Sequence, residues 1–161
     1  MKLKHFGILF FLIVCNSCNL IISGSYPYSE NYAFNISREE LIIKIKVFKE
    51  ENPEYKVMTT FENGEAGELP DGMNPQDTLN VFYAIYLYNA DLQMTLLSVI
   101  NMSKEIPTRP AAIQLVSTTK SKNFGSWKDV NTPDLSKSEN AQIKRIFETQ
   151  ILDKLGAWKR D

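Results

Sequence analysis

After Cys18 the chain contains neither cysteine nor histidine; His5, Cys15 and Cys18 are the only three such residues among 161. For everything beyond residue 18 this excludes a Ser-His-Asp or Cys-His nucleophile, a His/Cys zinc site and an internal disulfide. Charge of one sign is not in excess either. With 18 Lys+Arg against 19 Asp+Glu, a formal net charge of -1 and a pI near 5.9, the basic footprint of a nucleic-acid-binding protein is missing. An unbroken apolar run of the roughly 20 residues needed to span a bilayer is also missing. The stretch from Phe6 to Val14 is interrupted by Gly7, and Asn16, Ser17 and Asn19 break its continuation to Ile22. Gly64 and Gly67 lack the further Gly or Lys-Ser/Thr of a phosphate loop, so nothing calls for a nucleotide or other cofactor.

What is present begins with an address. Lys2 and Lys4 precede the apolar stretch, and the small polar stretch Cys15-Asn16-Ser17-Cys18 follows it, which is the layout of a secretory signal peptide. These residues resemble a bacterial lipoprotein signal, in which the apolar segment ends at a cysteine preceded by a small residue; Ser17-Cys18 fits this best, and Cys15 is a competing site. The resemblance implies a diacylglyceryl group on the Cys18 sulfur, cleavage before Cys18 and acylation of the new amino terminus. Several acyl chains on one residue, at about 0.8 kcal/mol per buried methylene, hold a protein firmly on a bilayer. Asn19, where retention at the inner membrane is associated with Asp, favours the outer membrane. The expected organisation is a signal peptide over 1–17, a lipidated cysteine and tether over 18–34, and one domain over 35–161. Cleavage leaves 16 basic and 19 acidic side chains.

Ser37-Arg38-Glu39-Glu40 is a capping box, and Leu41, Ile45 and Phe48 fall on one helical face before Pro53. Ile43, Ile45 and Val47 also alternate with lysines, so a strand competes over the same residues. Tyr55 to Phe61 reads as a short strand, and Glu62 to Asp77, with three glycines and two prolines, reads as a loop. Thr78 to Tyr88 and Leu92 to Asn101 around Asn89-Ala90-Asp91 predict a hairpin, and Ala111 to Thr119 a third strand. A second capping box, Ser136 to Glu139, opens a helix whose apolar residues Ile143, Ile146, Phe147, Ile151 and Leu155 recur at three- and four-residue steps up to Gly156. The pattern predicts an α+β domain: an antiparallel sheet of three to four strands with an N-terminal and a C-terminal helix packed on one face.

Three features are candidate sites. Glu50 to Asp77 holds eight carboxylates against Lys56 alone, but in no calcium-loop order, so a solvated acidic loop is expected rather than a metal site. Lys104 to Lys128 has five basic residues and one acidic, a strip suited to lipid phosphates or an acidic partner, or to that acidic loop. Within it, Asn123-Phe124-Gly125-Ser126-Trp127 sets two large aromatics around a glycine. They read either as a binding rim or, for Trp127, as a lid on the core beside the last helix. Phe82, Tyr83, Tyr86 and Tyr88 line a pocket or belong to a strand buried on both faces. The candidate binding residues are therefore Phe124, Trp127, Lys120, Lys122 and Lys128, with Cys18 as the lipidation site and no catalytic or metal-binding residue.

The function these readings favour is a non-catalytic, lipid-anchored envelope protein that binds another envelope protein. A periplasmic inhibitor or immunity-type protein is the alternative, and a two-carboxylate hydrolase or small-ligand carrier follows. A deep pocket with two inward carboxylates would favour hydrolysis, an apolar tunnel a carrier, and an exposed aromatic patch a partner.

Overall fold

The structure, a computed structural model, describes residues 26–73, 81–104, 110–120 and 124–161. Cys18, the signal segment and Lys122 lie outside these residues. The strands are β1 (Glu30–Phe34), β2 (Met58–Thr60), β3 (Ala66–Glu68), β4 (Gly72–Met73), β5 (Phe82–Asn89), β6 (Met94–Asn101), β7 (Ala111–Thr119), β8 (Lys128–Asp129) and β9 (Trp158–Arg160). Seven form one antiparallel sheet in the order β4-β5-β6-β7-β1-β9, with β8 sharing the edge of β7 beside β1, while β2 and β3 form a separate hairpin.

This corrects the expected fold class. The α+β domain with three to four strands is replaced by a mostly antiparallel-sheet protein whose main sheet has seven strands. The extra strands β1, β4, β8 and β9 have two to five residues each, too few for an alternating pattern to register. They are strands because of their neighbours. Residues 30–34, expected within the tether, pair along β7, and Tyr32 and Phe34 are buried there. Within the expected loop 62–77, Ala66–Glu68 and Gly72–Met73 are strands.

Both capping boxes form. At helix α1 (Arg38–Glu51) the Glu40 amide donates to Ser37 Oγ at 3.2 Å and the Ser37 amide donates back to the Glu40 carboxylate at 2.8 Å. Burial settles the competing strand reading: Leu41, Ile45 and Phe48 are inside, whereas Ile43 and Val47 face solvent, as a 3.6-residue period requires. The second box opens α2 (Lys137–Ile146), which continues through a π-helical stretch, Phe147–Leu152, into a last turn, α3 (Asp153–Leu155). Gly156, at φ +131°, a backbone conformation that disfavours a Cβ, then turns the chain into β9.

Apolar residues of both helical segments, among them Leu41, Phe48, Ile143, Phe147 and Ile151, share one buried cluster with Tyr32, Ile85, Leu87, Leu96, Ile113 and Leu115. Because side chains alternate along each strand, the residues between these point to the opposite face, which no helix among the described residues covers. A bulge at Val116 between the partners of Leu97 and Ser98 keeps the alternation in step at the far end of β7. The C-terminal strand is fastened by charge. Arg160 pairs with Glu148 and Glu30, Glu30 also accepts from Lys144 at 3.1 Å, and Tyr32 Oη donates to Glu148 at 3.0 Å. Burial opposes ionisation of Glu30, yet hydrogen bonds from Asn131 and Lys144, with the charges of Lys144 and Arg160, hold its carboxyl below the ordinary value.

Candidate functional site

The helix-free face carries the most distinctive surface. Register places Tyr88, Thr95 and Thr119 directly opposite one another across β5, β6 and β7, forming one row at the end of the sheet. That row is the floor of a cavity of about 1000 Å³. Its walls include Val57, Met58, Phe61 and Leu69 of the β2–β3 hairpin on one side and Lys120 and Phe124 on the other. Six large apolar side chains are exposed among the described residues, and three of them, Met58 at 65%, Phe61 at 39% and Tyr88 at 36%, line this cavity. Scattered apolar exposure is ordinary, whereas a contiguous patch marks an interaction surface or a ligand groove.

The hairpin wall is held in place by a charge cluster centred on the buried side chains of Lys49 and Asp71. Lys49, at the end of α1, donates to Asp71 at 2.8 Å and lies 3.1 Å from Glu68, which also meets Lys56 at 3.2 Å. The second oxygen of Asp71 accepts the Tyr86 amide at 2.9 Å, so Asp71 joins the helix to the sheet edge while Glu68 ties the hairpin to the same Lys49. Burial alone would raise the Glu68 carboxyl, but hydrogen bonds and charge from Lys49 and Lys56 lower it. The excess of carboxylates in this segment is thus partly neutralised by Lys49, just outside it in sequence, and no group of acidic side chains among the described residues is arranged to hold a metal ion. Within the hairpin, Phe61 lies over Gly67, where a Cβ would come within 2.7 Å of its ring.

The opposite wall is aromatic. Phe124 stacks on Trp127 with ring centres 6.2 Å apart and planes 17° from parallel, and Trp127 meets Tyr86 at 6.4 Å. Trp127 therefore packs on Tyr86 of the helix-free face; it is half-buried and outside the main core cluster, so it is not the lid on the core that the second reading expected. Of the three non-glycine residues in the left-handed region among the described residues, two, Gln93 at φ +52° and Phe124 at φ +55°, line the cavity. Such conformations store roughly 1–3 kcal/mol each and persist where surrounding structure enforces them.

Of the residues singled out in the sequence, the structure brings Lys120 and Phe124 into the groove, with Trp127 behind Phe124. Lys128 is exposed in β8, opposite Thr118, and does not line it. Tyr88 contributes to the floor, Tyr86 receives Trp127, and Phe82 packs edge-on against Tyr26 at 5.1 Å. Met58, Phe61, Leu69 and Gln93 were not anticipated; the exposed apolar pair Met58 and Phe61, either side of Thr59-Thr60, was the available signal. Among the described residues the lining contains one carboxylate, Glu62, and not the pair that two-carboxylate hydrolysis uses. Among the described residues no helix is long and apolar enough to cross a membrane. No family model matches the chain, and no curated protein or solved structure shows significant similarity to it.

Proposed function

We propose that this protein is lipid-anchored in the bacterial envelope through Cys18 and that its domain binds another envelope protein in the groove between the β2–β3 hairpin and Phe124. The observation that carries the binding part is the clustering of Met58, Phe61 and Tyr88, exposed, around one cavity with the strained residues Gln93 and Phe124. The anchor rests on the lipobox-type sequence ending at Ser17-Cys18. Two labels test the two parts. Fatty-acid labelling of Cys18→Ser should be lost while Cys15→Ser remains labelled; the reverse pattern moves the anchor to Cys15. A photo-crosslinking amino acid placed at Met58 should give a discrete adduct in intact envelopes, whereas the same probe at Ile43, exposed on α1, should not. No adduct at position 58 contradicts partner binding at the groove.

The size of the cavity supports a second reading, a carrier of a small apolar ligand. Native mass spectrometry of protein purified without denaturation separates the two, since a carrier retains a discrete small-molecule mass.

A further inference from the structure

β2 is the strand whose free edge borders the groove. The Phe61 amide donates to the Glu65 carbonyl and the Leu69 amide to the Val57 carbonyl. In an antiparallel pair the hydrogen-bonded positions alternate, so 57, 59 and 61 direct their main-chain groups toward β3, and Met58 and Thr60 direct theirs outward. Those outward groups have no main-chain partner among the described residues. All residues from Lys56 to Glu62 line the cavity, as expected of a strand presenting its edge to it.

Among the described residues, other strand edges are guarded. On the β5 side, β4 covers Tyr83 and Ala84, and the Asp71 carboxylate takes the Tyr86 amide beyond the end of β4. At the opposite end, β9 carries the charged Lys159 and Arg160. β3 ends in Glu68, tied to two lysines. Short strands, charge and side-chain caps are the usual means of preventing edge pairing. β2, Met-Thr-Thr, has no charged residue, and Met58 is its most exposed side chain of the large apolar kind.

Resting on the partner-binding reading above, we infer that the partner enters the groove as an extended segment that adds a strand to the outer edge of β2. Its main chain pairs with Met58 and Thr60, its apolar side chains meet Phe61, Tyr88 and Phe124, and an acidic side chain meets Lys120. Lys120 lines the groove and, although its charge also acts on the exposed Glu139, makes no ion pair among the described residues, whereas Lys56 is already engaged by Glu68. Main-chain pairing supplies affinity in this mode of recognition and side-chain pockets supply selectivity. A single extended segment suits a cavity walled on the far side by Phe124; the same edge of a second copy would bring β3 in with it.

Random twelve-residue peptides displayed on phage, selected on the full acylated chain in detergent, provide the probe. The selected peptides should be acidic and apolar, and binding should slow amide exchange at Met58 and Thr60 by about tenfold or more, with little change at Thr59, which already faces β3. Peptides methylated on alternate main-chain nitrogens, and the variant Thr60→Pro, should each weaken binding by about tenfold or more. The thermal midpoint of Thr60→Pro checks that the fold persists, and the N-methyl peptides make the same test on the unaltered protein. Binding that is lost in Phe124→Asp while exchange at 58 and 60 stays unchanged overturns strand addition and leaves partner binding standing. Failure to select any groove-binding peptide also overturns it, and a dimer that protects residues 58 and 60 replaces the peptide with a second copy. The absence of an adduct from the Met58 photo-crosslinker, by contrast, removes the underlying reading itself.

Discussion

The two faces of the main sheet are buried by different means. On one, two helices bring long aliphatic and aromatic side chains onto alternating strand residues, and Ile113, Leu115 and Phe147 are fully enclosed. On the other, the floor of the groove combines Tyr88 with the small polar residues Thr95 and Thr119, and the cover among the described residues consists of single aromatics such as Trp127 and of the hairpin. A helix face locks many contacts at once. Isolated aromatics and a two-stranded hairpin leave gaps, and here the gap is a groove with apolar walls. The comparison teaches that the first face specifies the fold while the second is free to carry an interaction.

The largest effect should come from the helix face. Phe147→Ala removes a fully buried ring and should cost about 3–5 kcal/mol, read as a lowered urea midpoint. Asp71→Ala should cost about as much, about 3–5 kcal/mol, because it leaves Lys49 buried with the partly exposed Glu68 as its remaining carboxylate and also frees the Tyr86 amide. Trp127→Ala, on the other face, should cost only about 1–2 kcal/mol, since the ring is half-buried. A Trp127 loss equal to that of Phe147 would break the distinction between the faces.

Acid should act through Glu30 and Glu68, whose carboxyls are both held below their ordinary value of 4.5. A depressed folded value means that the stabilisation is complete above the unfolded value and is lost as pH falls through the folded one. The urea midpoint should therefore be flat from neutrality to about pH 5 and decline below about pH 4.5, with a shallower decline in Glu68→Gln. The smallest effect is expected from Gly67→Ala. Its new methyl displaces the partly exposed Phe61 ring, so the midpoint should shift by less than about 1 kcal/mol while the environment of residue 61 changes, as a fluorine label on that ring would report.

What the sequence revealed follows the range of the interactions involved. Capping boxes and 3.6-residue periods are local, and both helices were legible from Ser37–Glu40 and Ser136–Glu139. The long hairpin was legible because β5 and β6 each run eight residues around an Asn-Ala-Asp turn. Strands β1 and β9 were not, because they pair with each other and, through β1, with β7, from opposite ends of the described chain; neither contains a pattern that specifies this. The groove was half legible. Phe124 and Lys120 stood out by residue type, but their partners lie in a hairpin whose second strand, Ala-Gly-Glu, has no apolar rhythm and sits in an acidic, glycine-rich stretch. Trp127 stands out by residue type, but its placement depends on Tyr86, a contact between distant segments that spacing does not encode.

The claim that the helix-free face is the working surface is tested most directly by Met58→Asp, measured for stability and for capture together. Met58 is 65% exposed, so a carboxylate there meets water in the isolated protein but enters the groove when a partner binds. The account predicts an unfolding midpoint unchanged within about 0.5 kcal/mol and loss of the envelope adduct formed by a photo-crosslinker at Phe61. A lowered midpoint, with no adduct from the same crosslinker in the unsubstituted protein, would make Met58 part of the fold's support and would contradict the assignment of this groove to binding.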